Sequence, residues 1–275
     1  MAVFASAGRP EARPSHLGLT ALGVVRSEWT KFRSVRSTLW SLAATVFLTI
    51  GIGAAITGVF ISRYGHLRPR LEAGFDPTSN SLAGIFLAQL AIGVLGVLVV
   101  SSEYASGMVR TTFAAVPQRA LVLAAKAFVF GLVALIIGLA SSFGAFFVGQ
   151  SILSIHSLQA SISDPGVLRA VIGGGLYLAV LGLIGLGLAG ILRSTAAAIA
   201  TLFGLVLVLP AITHALPQDW QQAISPYLPG SAGQALMAVH QQANTLSPWM
   251  GFAVFCAYAA AALVIAGVLM VKRDA

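Results

Sequence analysis

A chain of 275 residues that is 57% hydrophobic and 9% charged, with mean hydropathy +0.90, is far from an ordinary soluble domain; such domains are about 45–50% apolar and about 25% charged. The bilayer is its solvent. The net charge of +8 sits on bases that flank apolar runs, so anionic headgroups and membrane topology account for it better than nucleic acid, and the single Cys256 excludes an internal disulfide or a cysteine-built metal cluster.

Residues 1–18 carry Pro10, Pro14 and scattered charge but no apolar core of a signal peptide; they are expected to form a disordered cytoplasmic tail. Residues 19–37 predict an amphipathic interfacial helix. Leu22, Val25, Trp29 and Phe32 recur at steps of three and four and share one face, while Arg26, Lys31 and Arg33 lie mostly off it. Such a helix lies in the membrane interface, where it anchors the first span. A polar face that also touches a cytoplasmic partner is a second, compatible reading.

Residues 38–275 predict a six-span transmembrane domain, because a crossing needs about 20 mostly apolar residues. The spans fall near 39–61, 82–101, 127–152, 170–192, 195–216 and 249–271. They are rich in small residues, including Gly173, Gly174, Gly175, Gly182, Gly185, Gly187 and Gly190, which allow close helix approach. With the N-terminus inside, twelve of the 16 bases fall on the inner side and four, Arg63, Arg68, Arg70 and Arg169, on the outer. This bias places both termini in the cytoplasm. Glu72 and Asp76 partly offset the outer cluster.

The segment 102–126, between the second and third spans, gathers Glu103, Arg110, Arg119 and Lys126 in a chain otherwise poor in charge. Gly107 permits a turn there. Met108, Val109 and Phe113 offer an apolar knob, and Pro117 suits the first turn of the following helix. A solvated turn with topology-setting bases is the plainer alternative. The outer segment 217–248 is broken by Pro226, Pro229 and Gly230, and Trp220, Tyr227 and Leu228 suit the headgroup layer.

No phosphate-binding loop and no zinc-protease motif occurs in the sequence. His16, His66, His156, His214 and His240 read as solvated surface residues, and Ser231 has no histidine in a span to activate it. The expected span interiors hold no Asp, Glu, Lys or Arg, which disfavours a proton- or ion-coupled carrier. Gln89 and Gln150 are the large polar side chains there, available for interhelical hydrogen bonds or for substrate. Transport by this chain would then draw its energy from another chain.

Three stretches carry a family resemblance. They are Arg26-Ser27-Glu28-Trp29-Thr30-Lys31-Phe32-Arg33-Ser34-Val35-Arg36-Ser37-Thr38, then Ser102-Glu103-Tyr104-Ala105-Ser106-Gly107-Met108-Val109-Arg110-Thr111-Thr112 with Pro117-Gln118-Arg119 and Lys126, then Ile224-Ser225-Pro226-Tyr227-Leu228-Pro229-Gly230-Ser231-Ala232-Gly233-Gln234-Ala235. Over about residues 20–275 the chain resembles permease subunits of type-2 ABC exporters, of the class whose ATPase is a separate chain. The resemblance implies two permease subunits, homo- or heteromeric, seated on two copies of a cytoplasmic ATPase that holds ATP and Mg. This chain would bind no cofactor or metal and would not itself be an enzyme. Glu103, Tyr104, Gly107, Met108, Val109, Arg110, Phe113, Arg119 and Lys126 would form the ATPase-coupling region, beside Arg26, Glu28, Trp29, Lys31, Phe32 and Arg33 of the interfacial helix. Segment 217–248 would be re-entrant, with Tyr227, Leu228 and Pro229 closing an outer gate.

An uncharged path favours a lipophilic or amphiphilic cargo such as a drug, antibiotic, lipid or lipopeptide; Gln89, Phe143, Phe146, Phe147 and Gln150 are candidate wall positions. Thirteen arginines against three lysines hint at a GC-rich bacterial genome, and the chain is expected in the cell membrane. Two rivals remain: an ATPase-associated scaffold or sensor, and a self-contained channel or membrane enzyme.

Overall fold

The computed structural model describes residues 20–64, 75–108, 112, 118–213, 215–241 and 244–273. The tail 1–18, His66, Arg68, Arg70 and Glu72, the loop residues Val109, Arg110, Thr111, Phe113 and Pro117, and His214 lie outside the described residues.

Thr20 opens the first helix, α1 (Ala21–Ser34), by accepting the Gly23 amide at its hydroxyl. Val35, extended at φ −88° and ψ 113°, ends it, and the chain turns at that residue into α2 (Arg36–Arg63). The Asp76 carboxylate caps α3 (Pro77–Ser81) through the Thr78 and Ser79 amides. Then come α4 (Ile85–Ala105), α5 (Arg119–His156), α6 (Val167–Leu192) and α7 (Thr195–Thr213). The short α8 (Gln218–Ile224) and α9 (Pro229–Gln234) precede α10 (Pro248–Lys272). Six of these, α2, α4, α5, α6, α7 and α10, are long and apolar enough to cross a bilayer. With no strand among the described residues, the fold is all-α and polytopic, that of a multi-pass membrane protein.

The expected spans are recovered with shifted ends, and the largest shift is in α5. It starts at Arg119 rather than near residue 127 and runs for 38 residues, about 57 Å at about 1.5 Å per residue, against a hydrocarbon core of about 30 Å. Much of segment 102–126 is therefore helix: 102–105 end α4, and 119–126 open α5. Two spans are also interrupted. A π-helical turn, Leu48–Ile52, divides α2, and another, Gly204–Val208, divides α7.

Helix α6 is the hub, with 72% of its span window buried against 17% for α7. Small residues let α4, α5 and α10 close on it, as the sequence predicts. A Cβ on Gly96 of α4 would stand 2.0 Å from the Gly182 carbonyl oxygen of α6, a distance no side chain tolerates. Across the hub, Gly190 faces Ala266 of α10. Tyr177 of α6 and Phe255 of α10, both fully buried, stack with ring centroids 5.2 Å apart.

The four tryptophans are exposed and mark both ends of the bundle. Trp29 and Trp40 stand near the end that carries Glu103, the charged end; Trp220 and Trp249 stand at the far end. Indole rings favour the two membrane interfaces, and pairs at opposite ends of the bundle suit a fold that crosses a bilayer.

Candidate functional site

Four ionic side chains from three helices meet at the charged end. Glu28 and Lys31 lie one turn apart on α1, Glu103 in the last turn of α4, and Lys126 in the third turn of α5. Lys126 Nζ donates to Glu28 Oε2 at 2.6 Å and to Glu103 Oε1 at 2.7 Å. Lys31 Nζ donates to Glu28 Oε1 at 2.9 Å and to Glu103 Oε1 at 3.0 Å. The four ion pairs form a closed ring in which acids and bases alternate and the net charge is zero.

Burial decides what this ring is worth. The Glu28, Glu103 and Lys126 side chains are only 5–6% exposed, while Lys31 is 32% exposed. An isolated ion at such depth costs several kcal/mol; two of each sign, each hydrogen-bonded to its neighbours, offset that cost. The ring therefore favours one arrangement of α1, α4 and α5 rather than adding large net stability. Burial pulls the Lys31 pKa down, but its bonds to Glu28 and Glu103 outweigh this and leave it above its ordinary value.

An apolar patch holds α1 beside the ring, where Val24 packs with Val122 and Ala125 of α5. Phe32 meets Phe130 edge-on, centroids 6.4 Å apart. The buried face of α1 thus runs through Val24 and Glu28, rotated from the expected stripe. Leu22 and Trp29 of that stripe are exposed, and Arg26 and Arg33 also point outward. Helix α1 is thus clamped to the bundle by its charged residues as well as by its apolar ones.

The ring adjoins the loop. Gly107 ends α4 with φ +70°, the left-handed conformation in which glycine is strain-free, and its amide donates to the Tyr104 carbonyl. Lys31 also reaches Thr112 Oγ1 at 3.4 Å. Met108 is exposed and, with the ring, Phe32 and Thr38, lines a cavity of about 120 Å³ among α1, α2, α4 and α5.

Two bases of this region are engaged within the fold. Lys126 is not a surface charge beside the loop: it points inward and holds the ring together. Arg119 caps another helix, donating to the Met270 and Arg273 carbonyls at 3.0 Å each. Cations suit those last carbonyls, and Arg193 joins the same group by donating to Arg273 O. The Arg193 guanidinium also lies over the Tyr104 ring, 5.3 Å from its centroid, so Tyr104 belongs to this bracing rather than to a free docking face.

Compared with protein-family models and with curated proteins, the chain matches none. What can be said of its site rests on geometry and on the motifs above.

The expected path residues do not share one wall. Gln89 is fully buried: the Tyr177 hydroxyl donates to its Oε1, and its Nε2 donates to Phe86 O at 2.9 Å. Gln150 is committed to the far-end loops through Pro77 O, Ser81 Oγ and the Ala160 amide. Phe146 is in the core, Phe143 is half-buried, and Phe147 faces outward. Of the three expected gate residues, Leu228 and Pro229 are buried; Tyr227 is exposed, and its carbonyl accepts the Tyr258 hydroxyl at 3.1 Å. No trio of His, Cys, Asp or Glu is placed to hold a metal among the described residues. Sequence reasoning missed the ring as a unit and missed Tyr177. The spacing of Glu28 and Lys31 (i, i+3) with an acid at the end of α4 was the available signal.

Proposed function

We propose that this chain is the membrane permease subunit of an ATP-driven exporter of the type-2 ABC class. A separate ATPase would seat on segment 106–118 and supply the energy, and this chain would itself perform no catalysis. The single observation that carries the reading is the ionic ring. It ties the interfacial helix to both flanks of that segment, to Glu103 just before it and Lys126 just after it. Force applied to the loop reaches α1, α4 and α5 together, because separating them would strand buried charge. The exposed Met108 fits an apolar contact with a partner.

The positive-inside bias supports placing the charged end and both termini in the cytoplasm of a bacterial cell. Two such chains would pair above two ATPase copies bearing ATP and Mg. The middles of the spans, which carry no charged side chain, support a lipophilic or amphiphilic cargo. Purification of the tagged chain from its native membranes tests the reading. An ATP-hydrolysing protein should come with the wild type and be lost with Met108→Asp. Folded wild-type protein that brings no ATPase would refute the proposal and leave a channel or membrane enzyme.

A further inference from the structure

At the far end, α3, α4 and the turn between them, Tyr177 of α6, residues 231–238 and Thr245 line an open cleft of about 400 Å³. It is separate from the ionic ring and shares no lining residue with the cavity there. Its wall has two characters. Phe86 and Met237 give it apolar surface, and Gln89, Tyr177, Ser231 and Gln234 give it hydrogen-bonding groups; no charged side chain lines it among the described residues.

The polar side of this wall is fixed in place. Gln89 and Tyr177 are each 1% exposed and hold each other by the hydrogen bond from the Tyr177 hydroxyl to Gln89 Oε1. Among the described residues Phe86 O takes one amide proton of Gln89, and a glutamine amide has two, so the second is available to a ligand. Gln234 adjoins the Tyr177 hydroxyl from α9. Clefts of about 300–1,000 Å³ with a few fixed polar groups on an apolar wall are the usual form of small-molecule sites. The Arg169 guanidinium lies behind the wall, turned onto the Ala238 and Val239 carbonyls, so an ion on the cleft surface would meet no lining counter-charge, whereas a neutral polar head finds partners.

We infer that this cavity binds an uncharged amphiphile, with a hydroxyl- or amide-bearing head against Gln89, Tyr177 and Gln234 and an apolar body along Phe86 and Met237. The inference does not rest on the exporter reading, since binding requires neither ATP nor a partner. A resident neutral lipid and an exogenous compound share this chemistry.

The test is native mass spectrometry of the full chain in phosphatidylcholine nanodiscs, titrated with monoolein as the uncharged probe and with oleate and oleylamine as charged competitors. One saturable monoolein per chain is expected, with neither competitor displacing it. Gln89→Leu should weaken it at least ten-fold. Ala83→Phe, which fills the cavity from its rim and keeps the Gln89–Tyr177 pair, should do the same even if Gln89→Leu misfolds. A neutral lipid carried through purification and displaced by monoolein identifies the resident source; an empty chain that takes up monoolein identifies the exogenous one. Absence of both retention and uptake, monoolein binding undiminished in Ala83→Phe, or equal displacement by oleate would overturn the inference.

Discussion

Lys126 shows how a charge is kept inside an apolar bundle. Its ammonium is 6% exposed and has Glu28 on one side and Glu103 on the other, so its charge is answered at both. Removing it alone leaves two buried carboxylates facing Lys31. Lys126→Met should therefore lower stability by about 3–5 kcal/mol, read by thermal unfolding in detergent, because a broken buried pair leaves uncompensated charge. The double substitution Glu103→Gln with Lys126→Gln keeps the ring neutral and should lose much less; equal losses in the two would contradict the ring as a unit. Lys31 adds a pH dependence. Its pKa is raised above an ordinary 10.5 in the fold, so its contribution is fully present below that value and is lost as the pH climbs through the folded value. Thermal stability scanned from pH 8 to 11 should fall at the alkaline end, and Lys31→Met should flatten that fall. None of this pairing is legible from the residues one by one. Lys31 reads as a base off the apolar stripe of α1 and Lys126 as one of the bases gathered in segment 102–126, since only the fold brings Glu28 within reach of a lysine 98 positions away.

Helices of this kind announce themselves by composition, and their contacts do so only in part. Apolar runs of sufficient length marked all six spans, because hydropathy is all that bilayer crossing requires. The start of α5 was hidden, since counting hydropathy stops at a charge while the helix continues through Lys126, whose charge is paired. The π-helical turns in α2 and α7 were hidden as well; they change the hydrogen-bond register without any demand on composition. The glycine pattern was legible as close packing, and the structure names the partners. Gly96→Leu should prevent α4 from seating on α6 and abolish recovery of folded protein, because its Cβ has only the Gly182 backbone to move into. Gly58→Ala on α2, with open space at its Cβ, should leave yield and melting temperature unchanged or raised. Size-exclusion profiles and thermal melts of the two variants distinguish these outcomes; similar behaviour of both would contradict the packing argument.

In the whole molecule the two ends differ in kind. The charged end gathers the ionic ring, the arginines that brace α6 and α10, and the loop with Met108. The far end has short helices folded over α6 and α10 and, beneath them, a cavity whose wall is polar but uncharged among the described residues. The proposed orientation puts the first in the cytoplasm and the second outside. In a Cys256→Ser background, Ser161→Cys should label in intact cells with a membrane-impermeant maleimide, and Ser106→Cys only after the membrane is opened; the reverse would invert the topology. The central claim, that the loop beside the ionic ring docks an ATPase, is tested most directly by a photocrosslinking amino acid placed at Met108 in living cells, with Ile155 at the far end as the comparison site. Both side chains are exposed. The account predicts an adduct from position 108 to a cytoplasmic protein with a phosphate-binding loop, and none from position 155. Folded chain that gives no protein adduct at position 108 would contradict it.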